Sequence, residues 1–291
     1  MIELTAPAAM RAWSRARRAE GCRVALVPTM GYLHEGHLRL VDHGRRSADL
    51  VVVSLFVNPT QFGPAEDLGR YPKDLERDRG LTRARGVDCL FVPSAEAIYP
   101  RPPAVRLLPG DLAKHLCGPR RPGHFEGVLT VVAKLLHLVE PEVAVFGRKD
   151  VQQATIIRRM AADLDFAVEI LVAPTVREGD GLALSSRNVY LDTTDRRRAP
   201  LLSRALEEAH RAFRAGTTRA TTLLERALGV LGSEPRIVVE YVEAVDPETL
   251  APVEFAREET IVALAARLGA TRLIDNIVLG DGLGRDDVLS A

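Results

Sequence analysis

The sequence predicts an α/β protein: a parallel-sheet domain over residues 1–176, then a smaller C-terminal α+β domain over 177–291. Three observations predict it. The runs VALVP (24–28) and LVVVSLFV (50–57) are nearly continuous in apolar residues and rich in β-branched valine, as strands buried on both faces require. These runs alternate with stretches of helical periodicity, which is how βαβ units read in one dimension. Past Arg177 the composition shifts to a Gly/Ser-rich loop, REGDGLALSSRN (177–188), and then to long Ala/Arg/Glu-rich helices, placing the boundary near Val176.

The elements follow in order. The N-terminus reads as a strand stub and an amphipathic helix from about Pro7 to Glu20, with no apolar core and cleavage site of a leader. A helix from Glu35 to Ala48 joins the first two long strands, and a charged helix, 75–84, precedes a third strand, CLFVP (89–93). The loop GPRRPGHFEG (118–127) leads into the apolar helix VLTVVAKLLHLV (128–139). VAVF (143–146) is the fourth strand, 151–164 a helix and AVEILVAP (167–174) the fifth strand. After the helices that run to about residue 232, IVVEYVEAVD (237–246) and ETIVALAARLG (259–269) predict strands of a small mixed sheet.

Composition narrows the function. The 291 residues carry 39 basic and 39 acidic side chains, and this balance argues against broad electrostatic binding to nucleic acid or to an anionic membrane. No run of apolar residues is long enough to span a bilayer. Three cysteines (Cys22, Cys89 and Cys117) form no CxxC pair, which points to reduced thiols and a cytoplasmic location. Lysine occurs only at 73, 114, 134 and 149; arginine supplies the rest of the basic charge.

Four polar segments carry the chemistry. PTMGYLHEGH (28–37) lies where the first long strand passes into a helix, the usual ligand crevice of an open α/β sheet. The helix start offers free N–H groups and a positive dipole end, and Gly31 and Gly36 let backbone approach a ligand. His34 and His37, three apart, fall on one side of the first turn, where imidazoles can stabilise charge at phosphorus. The spacing is not that of a zinc-binding HExxH helix. The second segment, VNPTQF (57–62), ends the second long strand and offers Gln61, whose amide can hold a small polar substrate. In the third, FGRKDVQQ (146–153), Lys149 supplies a compact ammonium suited to phosphate and Asp150 caps the helix or orients that lysine. The fourth, LALSSRN (182–188), can wrap a triphosphate with two hydroxyls and a guanidinium.

PTMGYLHEGH, FVNPTQF, RYPKDLERD, RPGHFEGVLTVVAKLL, FGRKDVQQ, PTVREGDGLALSSRN and TRLIDN together resemble the pantothenate synthetase family, in order, from about residue 24 to 280. That resemblance implies a Rossmann-like N-terminal domain, a C-terminal lid domain and a homodimer formed through the N-terminal domain. It also implies an ATP-dependent ligase that condenses pantoate with β-alanine through pantoyl adenylate, releasing pyrophosphate and AMP. Position by position, it implies phosphate contact and catalysis by His34 and His37, with His37 as proton donor, and by Lys149 and Arg187. Met30, Gly31, Gly147, Asp150, Val176, Leu184, Ser185 and Ser186 complete the ATP-binding positions, while Gln61 and Gln153 hold pantoate, Gln61 also lying near β-alanine. Mg²⁺ is implied with ATP, held mainly by phosphates, with Asp78 as a contact through water.

Three positions depart from the family pattern: Arg148 replaces a glutamate, Thr60 a methionine and Val151 an aromatic residue. Other readings of the same motifs are a different nucleotidyltransferase, a tRNA synthetase, a metal-dependent hydrolase, and a protein that binds ATP without turnover. A tRNA synthetase is disfavoured by the short C-terminal region and the zero net charge.

Overall fold

The computed structural model describes residues 1–64 and 66–283, and residues 287–288 as backbone. The chain forms two compact units interleaved along the sequence. Unit 1 holds Met1–Pro109, Arg121–Arg148 and Ile156–Ala173; unit 2 holds Gly110–Arg120, Lys149–Thr155 and Pro174–Ala291.

Unit 1 is built from β1 (Ile2–Leu4), α1 (Pro7–Ala19), β2 (Val24–Thr29), α2 (Glu35–Ser47), β3 (Leu50–Leu55), α3 (Leu75–Ala84), β4 (Cys89–Phe91), α4 (Ala95–Ile98), α5 (His124–Val139) and β5 (Val143–Gly147). It also holds most of α6 (Val151–Asp163), whose first residues belong to unit 2, and β6 (Glu169–Ala173). Six strands form one sheet in the order β1-β4-β3-β2-β5-β6, every neighbouring pair parallel. Successive crossovers step outward from β2 to β3 and β4, and the chain then returns to place β5 on the other side of β2. The strand order therefore reverses between β2 and β5, and ligands of such sheets bind outside the carboxyl ends of the strands at that point. Both faces are covered, which is why β2 and β3 are apolar almost without alternation. Ala25, Val27, Val51, Val53, Val143 and Val145 pack with Leu40 and Val41 of α2. Elsewhere Met10 of α1 touches Cys89 of β4, and the Ser14 hydroxyl of α1 donates to the Val139 carbonyl at the end of α5.

Unit 2 contains β7 (Val176–Arg177), α7 (Thr193–Arg198), α8 (Leu201–Arg214), α9 (Ala220–Gly232), β8 (Ile237–Val245), β9 (Ile261–Leu268), β10 (Thr271–Val278) and β11 (Asp287–Val288). Strands β8, β9 and β10 form a sheet against which α8 and α9 pack through Leu202, Leu206, Leu223 and Leu231. β11 pairs with β7.

The mixed sheet expected in the C-terminal region is corrected here: β8, β9 and β10 are wholly antiparallel. Leu268 pairs with Thr271, leaving the two-residue turn Gly269-Ala270 with a positive φ at Gly269, and so short a link permits only a hairpin. β10 itself is hidden in the sequence because buried Asp275 and Asn276 interrupt its apolar run. A second correction concerns α5. It begins at His124 behind the left-handed Gly123 (φ 79°), inside the segment expected to be loop. Among the described residues, no helix is long and apolar enough to cross a membrane.

Candidate active site

The turn from β2 into α2 is held open by a buried carboxylate. Gly31 (φ 82°) and Tyr32 (φ 50°) both adopt left-handed backbone, and a Cβ at position 31 would lie 3.1 Å from Asp78 Oδ2. Glycine is favoured there by conformation, and any side chain would crowd the Asp78 carboxylate. Asp78, 2% exposed on α3, accepts the Tyr32 amide at 2.7 Å and the Leu33 amide at 2.8 Å. Burial pushes its carboxyl above the usual carboxylate range, against the opposing pull of those two amides. The Thr29 hydroxyl donates to the Ser54 carbonyl at 2.8 Å and accepts the Gly31 amide at 3.2 Å, tying the turn to the end of β3.

His34 is the N-cap of α2 and His37 stands three residues on. The His34 amide donates to His37 Nδ1 at 3.3 Å, and the two rings lie 4.0 Å apart between centroids. With Nδ1 accepting, the proton of the neutral His37 ring sits on Nε2, which becomes a donor. The first-turn amides add the positive end of the helix dipole. Glu35, the acidic residue of that turn, is neutralised by Arg85 at 2.6 Å. The arrangement suits a group that carries negative charge and gains more as it reacts.

Gln61 closes a short 3-10 turn after β3. Asn58 builds that turn: its Oδ1 accepts the Thr60 amide (3.3 Å), the Thr60 hydroxyl (2.9 Å) and the Tyr99 hydroxyl (3.0 Å), while Nδ2 donates to Gln61 Oε1 (3.1 Å) and to the Gly127 carbonyl (3.0 Å). Gln61 Nε2 lies 3.1 Å from Met30 Sδ, bringing together the second and first polar segments. His124 Nδ1 donates to the Gln61 carbonyl at 2.8 Å, and its Nε2 accepts from Arg121 at 2.9 Å. Arg121 also grips Glu66 through two bonds of 2.7 and 2.6 Å. Burial pushes the Glu66 carboxyl up, but the Arg121 guanidinium outweighs it and holds the group below its ordinary value.

Gly127 of α5 is the closest approach to this turn. A Cβ there would fall 2.4 Å from the Thr60 carbonyl oxygen and 2.7 Å from Gln61 Cα, both backbone atoms. Gly127→Ala is therefore expected to displace the Gln61 turn. It should also cost about 1–3 kcal/mol of stability from overpacking. A melting curve tests this, and an unchanged Tm would mean that the turn yields to the added methyl group.

In unit 2, Lys149 and Asp150 lie on a 3-10 turn that enters α6, Lys149 half-buried and Asp150 exposed. The next glutamines differ in employment. Gln152 is buried and saturated: Oε1 accepts the Cys117 amide at 2.9 Å, and Nε2 donates to the Leu112 and His115 carbonyls, each at 2.9 Å. Gln153 is half-buried. The loop after β7 folds back on it, the Leu184 amide donating to the Val176 carbonyl at 2.9 Å. Ser185 caps the following 3-10 turn by accepting the Arg187 amide at 3.2 Å, Ser186 is buried, and Asn188 Nδ2 braces the loop on the Ala183 carbonyl at 3.2 Å.

Unit 1 thus gathers Met30, Gly31, His34, His37, Gln61 and Asp78 beyond the carboxyl ends of β2 and β3, with Gly147 at the end of adjacent β5. Unit 2 pairs Val176 with Leu184 and Ser185 with Arg187, and places Lys149, Asp150 and Gln153 around the start of α6. Asn58, Tyr99, His124 and Gly127 support Gln61 from outside the residues singled out by sequence. Asn58 left a local signal, an Asn-Pro after a strand, and His124 and Gly127 lie in the quoted block RPGHFEGVLTVVAKLL, but at 38 to 66 positions from Gln61 nothing local ties Tyr99, His124 or Gly127 to it. Among the described residues no group of three His, Cys, Asp or Glu side chains is placed to hold a metal ion.

Residues 3–278 match the family model described as pantoate–β-alanine ligase. The chain is 51% identical over 271 residues to pantothenate synthetase of Pelotomaculum thermopropionicum, covering 93% of this chain and 96% of that protein. It is 52% identical to the Geotalea uraniireducens pantothenate synthetase over 264 residues, covering 91% and 94%. The crystal structure of pantothenate synthetase from Thermus thermophilus superposes with a TM-score of 0.91 at 46% identity, covering 96% of this chain and 99% of that one. The Francisella tularensis pantoate–β-alanine ligase, solved in complex with beta-gamma ATP and β-alanine, superposes at 0.76 with 32% identity, covering 96% and 98%. By sequence over nearly its whole length, and by fold, the chain belongs to the pantoate–β-alanine ligase family.

Proposed function

We propose that the chain makes pantothenate in two steps, with the residues of the β2–α2 turn acting on the α-phosphate of ATP. A pantoate carboxylate oxygen attacks the α-phosphorus. The bond to the bridging oxygen breaks, and pyrophosphate leaves with its electron pair. The β-alanine amine, as its free base, then attacks the acyl carbon, AMP departs with the electrons of the C–O bond, and the new amide nitrogen releases its extra proton to solvent. Adenylation is needed because a carboxylate has no leaving group better than oxide.

The observation that carries this reading is the bond from the His34 amide to His37 Nδ1, which leaves Nε2 as a donor at the start of α2. A fixed donor there stabilises charge developing on the phosphoryl oxygens at no cost of reorganisation. Met30 and Gly31 shape the nucleotide turn with Asp78 behind them, Gly147 ends the neighbouring strand, and Gln61 is oriented for pantoate by Asn58. Lys149, Ser185, Ser186 and Arg187 are assigned the phosphates and the departing pyrophosphate, while Asp150, Val176 and Leu184 are assigned the nucleotide. Mg²⁺ would neutralise phosphate charge when bound with ATP, and Asp78, with both oxygens engaged by amides, would meet it through water.

The proposal keeps residues 1–176 as the ATP- and pantoate-binding domain and 177–291 as the lid domain. It includes a homodimer through the N-terminal domain, for which the exposed apolar side chains of Val105 and Leu108 in unit 1 offer surface; sedimentation equilibrium checks it. It also includes a cytoplasmic location, where ATP is available.

The test is pantoate-dependent exchange of labelled pyrophosphate into ATP with Mg²⁺ present and β-alanine absent. Exchange demonstrates a reversible acyl-adenylate step; its absence, with ATP still bound, would move the reading to another acid substrate. Gln153→Ala is expected to weaken pantoate about tenfold while ATP changes little, since one lost amide partner costs of order 1–2 kcal/mol. Equal losses for both substrates would remove the pantoate role from Gln153.

A further inference from the structure

β10 carries two consecutive buried polar residues, Asp275 and Asn276, each 3% exposed. Asn276 Nδ2 donates to the Lys149 carbonyl at 2.9 Å, a bond between side chain and backbone across 127 positions. Asp275 receives Arg177 through bonds of 2.7 and 2.9 Å, and Arg177 Nη1 also donates to the Gly181 carbonyl at 3.1 Å. The same carboxylate accepts the main-chain N–H of Asn276 at 2.8 Å, so the ion pair and the backbone that bears the Asn276 side chain are joined. Adjacent residues of one strand therefore fasten the Lys149 turn and the base of the loop that leads to Ser185 and Arg187.

We propose that Asn276 is a positioning residue for adenylation, acting through the main chain of Lys149. The proposal rests on the reading of Lys149 as a phosphate contact. Lysine places its charge at the end of a flexible four-carbon stem, so the ammonium is only as well aimed as the backbone that bears it. The turn 148–150 lies between a strand and a helix, and its middle carbonyl is anchored by a donor from a rigid sheet. Catalysis by alignment and charge stabilisation depends on such anchoring. Asparagine suits the position because it presents N–H to a carbonyl; aspartate, nearly identical in size, would oppose two oxygens.

The experiment compares the two half-reactions in Asn276→Asp. Pantoate-dependent pyrophosphate exchange should fall about tenfold or more. Conversion of supplied pantoyl adenylate and β-alanine to pantothenate, which has no pyrophosphate to release, should stay within about twofold. In a Lys149→Ala background the substitution should cost adenylation nothing further, as expected when one residue acts through the other. Equal losses in both half-reactions, or the full tenfold loss on top of Lys149→Ala, would overturn the proposal and leave a purely structural asparagine. Asn276→Ala, which removes the donor without adding charge, carries the same comparisons should the aspartate variant fail to fold. Absence of exchange in the unsubstituted protein would instead overturn the adenylation reading itself.

Discussion

His37→Ala is expected to slow adenylation by at least about a hundredfold, the scale of removing one preorganised donor from a developing oxyanion. The geometry separates this from a folding defect. His37 also accepts the His34 amide, so its removal uncaps one N–H at the start of α2. That position is half-buried and open to water, and a lost cap costs about 1 kcal/mol. A small shift in Tm beside a large loss of pyrophosphate exchange is thus the signature of a group that acts in the transition state. Near-normal exchange would take His37 out of the mechanism and leave the first-turn amides to act alone. His37→Asn, able to accept the His34 amide, should restore the helix cap and not the rate.

The second large effect concerns stability. The Arg177–Asp275 pair is almost completely buried, with side chains 1% and 2% exposed, and joined by two parallel hydrogen bonds. Asp275→Leu strands a guanidinium in the interior and should destabilise the protein by about 3–5 kcal/mol. Adding Arg177→Met should recover most of that loss, because two apolar side chains can replace a buried pair at little net cost. Denaturant unfolding of the single and double variants measures both quantities. If Asp275→Leu alone cost less than about 1 kcal/mol, the pair would contribute nothing that water cannot replace.

These two predictions differ in how they could be found. His37 is legible because its whole setting is local: a β-branched strand, a glycine at a left-handed turn, and two histidines three apart on the first turn of a helix. Gln61 and Lys149 are legible for the same reason, each standing where a strand ends. Arg177 and Asp275 are 98 positions apart and carry no periodic signal, so nothing in either neighbourhood indicates that one neutralises the other. The start of α5 is obscured because RPGHFEG contains a proline and two glycines, which locally favour loop. Burial of His124 and Phe125, and the close fit of Gly127 against the Gln61 turn, outweigh that preference. The first two strands of the C-terminal sheet are legible individually, while the antiparallel pairing follows from a two-residue turn whose partner strand is hidden by Asp275 and Asn276.

By itself the sequence determined the α/β class, the parallel order implied by continuous apolar runs, and the strand ends that bear the histidines, Gln61 and Lys149. Each is written in adjacent residues, since hydrophobic period and backbone preference act over one or two turns of chain. Tertiary structure alone decided how those residues are aimed: Asp78 behind the β2–α2 turn, Asn58 and His124 around Gln61, and Asn276 on the carbonyl of Lys149. A hydrogen bond demands correct distance and direction between two groups, and when those groups lie dozens of positions apart only the folded chain supplies both.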